Sequence, residues 1–103
     1  MNKFEMTGTA GITQTVVSAD TAKTLGSVIT FDSTKHTIGV IISCETYDVR
    51  FTFNVAPTTS LGHLLSATQS VQFNNGETAK QFRFISASAG SHGTLMVTPL
   101  YKY

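Results

Sequence analysis

From Tyr47 to Val55 the chain alternates apolar and polar residues without a slip. Tyr47, Val49, Phe51, Phe53 and Val55 fall on one side; Asp48, Arg50, Thr52 and Asn54 fall on the other. Successive side chains of a strand point to opposite faces, so this run predicts a strand with one face on a core and one in water. No stretch of about ten residues offers the rival pattern, apolar positions at helical spacing with helix formers between them. Ser and Thr make up roughly a quarter of the chain, and Thr suits a pleated, half-exposed surface.

The other segments read the same way. Thr37 to Cys44 is a nearly continuous apolar run with Gly39 inside it. Both its faces look partly buried, which predicts a central strand with a bulge or a close backbone approach at Gly39. Glu45 and Thr46 leave room for a tight connection onward. Val71 to Phe73, Asn74-Asn75-Gly76 and Thr78 to Ile85 predict a hairpin, because Asn and Gly tolerate positive φ. Gly93 to Leu100 predicts a last strand, at an edge because Pro99 lacks a ladder donor.

Nearer the N-terminus, Ile12 to Val17 and Ser27 to Phe31 are strand candidates, and Asp20 to Lys23 reads as a turn or a short exposed strand. Ala56-Pro57-Thr58-Thr59 breaks the chain, and Leu61 to Leu65 is a short apolar patch. The expectation is an all-β fold: a small antiparallel β-sandwich, jelly-roll-like, or a partly closed barrel. Residues 1–103 make one domain, with residues 1–10 as an extended N-terminal arm.

Charge narrows the partners. The formal net charge is +1, 13% of residues are charged, and the seven basic residues form no run. Nucleic-acid and polybasic membrane binding both need clustered cations, so neither partner is expected. The apolar runs are too short to span a bilayer, and residues 1–6 lack the apolar stretch of a secretion signal. Cys44 is the lone cysteine, which excludes an intrachain disulfide. It ends an apolar alternation and reads as a small buried hydrophobe.

Little points to chemistry. His36, His63 and His92 lie far apart, with no partner at metal-ligand spacing, so no metal and no cofactor is expected. There is no Gly-x-Ser-x-Gly elbow, and Glu45 and Asp48, the closest acidic pair, sit at a turn. The chain is read as no enzyme. There is no Trp, and Tyr101 and Tyr103 look like the free aromatic side chains, a thin basis for a glycan-binding module.

The candidate contact residues are few. Arg50 and Arg83 are the only arginines, each on the polar side of a patterned strand. Either they pair across strands with Asp48 or Glu45, or they reach a neighbouring subunit. Phe4, Met6, Leu100, Tyr101 and Tyr103 crowd the chain ends, where apolar residues either dock on the core or meet a partner.

The C-terminal half resembles a group of small all-β bacteriophage structural proteins. The residues that carry the likeness are Val49-Arg50-Phe51-Thr52, Ala56-Pro57-Thr58, Gly62-His63-Leu64-Leu65, Gln81-Phe82-Arg83-Phe84-Ile85 and Thr94-Leu95-Met96-Val97-Thr98. The resemblance implies a virion structural protein, foremost a capsid cement or decoration protein. As such it would bind the major capsid protein or other virion subunits as a symmetric oligomer, a homotrimer being the favoured form. A tail, head-fibre or portal-vertex component and a carbohydrate-binding module are the alternatives. The implied location is the virion, assembled in the host cytoplasm.

Overall fold

Alternating apolar residues become strands here because two sheets bury them from opposite sides. In the computed structural model, which describes residues 8–53 and 55–102, the elements run in the order β1 (Gly8–Ala10), β2 (Gln14–Val17), β3 (Lys23–Thr24), α1 (Leu25–Val28), β4 (Thr37–Glu45), β5 (Val49–Thr52), β6 (His63–Leu65), β7 (Ser70–Phe73), α2 (Gly76–Gln81), β8 (Arg83–Ser86) and β9 (Thr94–Lys102). All pairings are antiparallel. One sheet has the order β1-β9-β4-β7, with β2 also on β9; the other has the order β3-β8-β5-β6. Neither sheet closes on itself, so the fold is the expected small sandwich and not a barrel.

The inner faces follow the alternation. Val40, Ile42 and Cys44 of β4 meet Leu95 and Val97 of β9 in one sheet, and Val49 and Phe51 of β5 meet Phe84 of β8 in the other. Most of these side chains are wholly shielded from water. Each large one contributes on the order of 1.5–3 kcal/mol by burial. A cluster of phenylalanine rings joins the two sheets at one end. Phe82, which follows α2, stacks on Phe51 with centroids 5.1 Å apart, and it also meets Phe53, Phe73 and Phe84 within 5.8–6.1 Å. Phe73 comes from the first sheet; Phe51 and Phe84 come from the second.

β4 is central, between β9 and β7, as its apolar run predicts. Its register shifts between Thr37 and Gly39, which is the expected bulge. A Cβ on Gly39 would stand 2.2 Å from the Phe73 carbonyl oxygen, so this approach requires glycine.

Several expectations need correction. β9 is interior, with β4 on one side and both β1 and β2 on the other. Pro99 is tolerated there because residues 8–10 oppose 102–100 and residues 14–17 oppose 97–94, leaving a gap in the ladder beside it. Its carbonyl accepts the Gly11 N–H at 2.8 Å on that side, so its ring nitrogen faces the gap. The hairpin at Asn74-Asn75-Gly76 is not formed. β7 and β8 lie in different sheets, and α2 carries the chain between them. Asn75 caps α2 from an extended conformation, its side chain accepting the Thr78 N–H at 3.1 Å. Residues 27–31 do not form a strand: α1 ends inside them. The alternating strand is shorter than expected. Beyond β5 the chain turns away, and Tyr47 and Val55 are exposed. Of the expected arm, residues 8–10 are a paired strand and residues 1–7 lie outside the described residues.

Phe82→Ala removes the ring that touches both sheets. The expected loss is about 3–5 kcal/mol, read as a lower urea midpoint with a two-state transition.

Candidate functional site

The sites that the residue types most readily form are structural ties. Ser18 directly follows β2, Ser86 ends β8, and Gly93 directly precedes β9. The Gly93 N–H donates to Ser18 Oγ at 2.8 Å, Ser18 Oγ lies 2.7 Å from Ser86 Oγ, and Ser86 Oγ lies 2.9 Å from His92 Nδ1. The chain of donors runs from Ser18 to Ser86 to His92, since the reverse would leave the buried Ser18 hydroxyl proton without an acceptor. A serine beside a histidine is nucleophile geometry in outline. Here Ser86 is 1% exposed with its oxygen held on both sides, and neither Ser86 nor His92 lines the nearby depression formed in part by Ala87, Ser88 and Ser91. The arrangement locks the two sheets together at this end.

The other candidates for chemistry stay apart. His36, in the loop before β4, and His63, on β6, are both exposed, and His63 rests 5.4 Å from the Phe51 ring. Among the described residues no three His, Cys, Asp or Glu side chains come together as metal ligands, and no helix is long and apolar enough to cross a membrane. Cys44 is buried, and its thiol donates to the Tyr47 carbonyl at 3.2 Å. Burial, then the Asp48 carboxylate, pushes the thiol up to about 11.

The predicted contact residues separate into three groups. Phe4, Met6 and Tyr103 lie outside the described residues. Leu100 and Tyr101 are docked, 2% and 3% exposed, and Tyr101 is therefore no free aromatic platform. Its hydroxyl accepts the Asp32 N–H at 2.7 Å, and Lys35 Nζ stands 5.7 Å from its ring centre. Burial of these residues follows from the interior place of β9, which the edge reading of Pro99 concealed. Arg50 and Arg83 are half-buried on the outer face of the second sheet.

Arg50 does not pair with Asp48 or Glu45. Its Nε donates to the Thr59 carbonyl at 2.9 Å and its Nη1 to the Gly62 carbonyl at 3.0 Å. Asp48 instead accepts the Ala67 N–H at 2.8 Å. The turn that Arg50 holds is built locally: Thr58 Oγ1 accepts the Leu61 N–H at 2.9 Å and the Ser60 N–H at 3.2 Å. Gly62 leaves it at φ +135°, a conformation open to glycine. Hydrogen bonds thus tie the Arg-aromatic strand to the Ala-Pro-Thr turn and to the start of the Gly-x-Leu segment.

That unit presents apolar side chains to water. Val55, Leu61 and Leu64 are 57%, 52% and 48% exposed, and they are three of the six large exposed apolar residues among those described. Leu64 sits on β6, which among the described residues pairs only with β5 and so leaves a free strand edge. Sequence reasoning missed this surface because it placed Val55 on the core face; the break at Ala56-Pro57 was the available signal. A second feature is a cleft of about 730 Å³ beside the gap between β1 and β2, walled by Gly11, Ile12, Phe31, Asp32, Lys35 and Tyr101. The Thr34 hydroxyl, then its backbone N–H, holds the Asp32 carboxyl below the usual carboxylate range, with Lys35 adding to the effect.

No family model, no curated protein and no solved structure matches this chain.

Two measurements check these assignments. Ser86→Ala strands the Ser18 proton and His92 Nδ1, and should cost about 1–3 kcal/mol in urea unfolding with the far-UV spectrum kept. Cys44 should resist iodoacetamide at pH 8 until the chain unfolds, because the attacking species is the thiolate. The thiol's contribution to stability is complete below its ordinary value of 9.0 and is lost as pH rises through about 11.

Proposed function

We propose that this chain is a docking module of a larger assembly, a virion structural protein of the cement or decoration type that seats on neighbouring subunits. The observation that carries the reading is the hydrogen-bonded unit around Arg50. It offers Val55, Leu61 and Leu64 beside the free edge of β6. An open edge supplies unpaired donors and acceptors for strand addition, and exposed apolar side chains next to it add burial on contact. β3, β6 and β7 are all outermost strands, and the docking edge is β6 because it carries the exposed Leu64; the C-terminal strand β9 has neighbours on both sides.

The bacteriophage context comes from the resemblance of the C-terminal half. A small domain bound to a lattice gains stability by mass action, and many copies on a symmetric particle multiply a modest contact. The favoured form is a ring-closed trimer on capsid subunits. Tail, head-fibre and portal-vertex locations differ from cement in copy number.

A glycan-binding role has one observation in its favour. Tyr47 is 54% exposed and lines a depression of about 180 Å³ with Asp48, Ser88 and Ser91. An exposed ring beside polar groups is what a sugar face stacks on. A glycan array without hits removes this role.

Quantitative mass spectrometry of purified particles tests the main reading. Hundreds of copies identify cement; six or twelve identify a vertex or tail part; absence from particles ends the proposal. Leu64→Lys should lower occupancy on particles at least tenfold while leaving the melting temperature within about 2–4 °C.

A further inference from the structure

We infer that the outer face of the second sheet receives a carboxylate-bearing surface of a different protein, with Arg83 and Arg50 as its anion contacts. This rests on the docking role proposed above and names the chemistry of the partner. Register places both arginines on that face. Arg50 opposes Leu64 on one side and Ile85 on the other, while Arg83 opposes Thr52 and Thr24. The alternate residues Phe51 and Phe84 point into the core. Arg50 and Arg83 are therefore diagonal neighbours on adjacent strands, a spacing of roughly 7–8 Å.

Among the described residues neither positive charge has a counter-charge. Arg50 spends two donors on neutral carbonyls. Arg83 Nε is shielded from water and has no acceptor among the described residues. The strands of this sheet, Lys23–Thr24, Val49–Thr52, His63–Leu65 and Arg83–Ser86, contain no Asp or Glu. Three of the acids are engaged in loops elsewhere: Asp20 accepts the Gly90 N–H, Asp32 the Thr34 N–H and Asp48 the Ala67 N–H. A buried N–H without an acceptor is a standing cost that a docked acceptor removes. The guanidinium fork fits a carboxylate through two parallel hydrogen bonds, and the half-buried Arg83 side chain must turn its shielded Nε–H outward to make both.

The face selects against other occupants. Two cations beside the exposed Leu64, with Ile85 buried between them, are too few for a phosphate backbone, which needs a row of charges. A two-fold contact of the face with itself would set arginine against arginine. A heterologous acidic protein surface is what remains.

The chain has two arginines, so a ¹H–¹⁵N spectrum of the full labelled protein shows two arginine Nε–H cross-peaks. Hexaglutamate and a short duplex DNA are the probes, at low and at high salt. Hexaglutamate should move the Arg83 cross-peak, bind more weakly at high salt, and lose affinity on the order of tenfold with Arg83→Gln. Arg83→Lys, which keeps the charge without the fork, should retain part of that affinity. The inference is overturned if neither arginine peak moves, if DNA moves them as strongly, or if the peaks move with protein concentration alone. Particles that carry Arg83→Glu at the normal copy number also overturn it and leave the docking role standing, whereas absence of the unaltered chain from particles removes the docking role itself.

Discussion

The contact of Phe82 with rings from both sheets is the interaction on which the architecture depends. β7 and β8 are consecutive strands that end in different sheets, and the link between them, α2 and Phe82, must cross the core. Phe82 is fully buried where it crosses, stacked on Phe51 and edge-on to Phe53. Its carbonyl also accepts the Leu25 N–H at 2.7 Å, which anchors α1. This residue thus links the two sheets, which also touch through Phe73 and Phe51, to both helices. Offset and edge-on rings add about 0.5–1.5 kcal/mol per pair beyond burial, a large share for a domain this small.

With the core fixed this way, most of the polar side chains singled out for chemistry serve as local ties. Ser18, Ser86 and His92 lock the sheets at one end; Asp48 holds the turn after β6; Asp32 orders its own loop; Arg50 clamps the turn before β6. Beside these ties stand the β6 edge, exposed Val55, Leu61 and Leu64 next to it, and two arginines without a counter-charge among the described residues.

The fold was legible where burial and periodicity agree. β4 and β5 were readable because one face of each is covered and a slip of one residue would turn every side chain to the wrong side. The bulge at Gly39 was readable because an interior glycine in a strand needs a steric reason. The misreadings share one cause. Asn75-Gly76 favours a hairpin turn, yet Asn also caps helices, and Glu77 early and Lys80 late in α2 were the competing signal. Pro99 excludes a ladder hydrogen bond, but only on one side, and the gap between β1 and β2 supplies that side with a strand break. Which local option wins depends on partners distant in sequence.

By itself the sequence determined that this chain forms strands, that it lacks a cationic run, a disulfide framework and metal-ligand spacing, and which residues alternate inward. These are properties of composition and of period two, and they need no knowledge of neighbours. Tertiary structure alone decided that β9 is interior and buries Tyr101, that β7 and β8 part into separate sheets, and that Arg50 clamps a turn while Arg83 Nε is left without an acceptor among the described residues. Those outcomes depend on which strands meet across the core, and strand pairing is set by contacts between residues far apart along the chain.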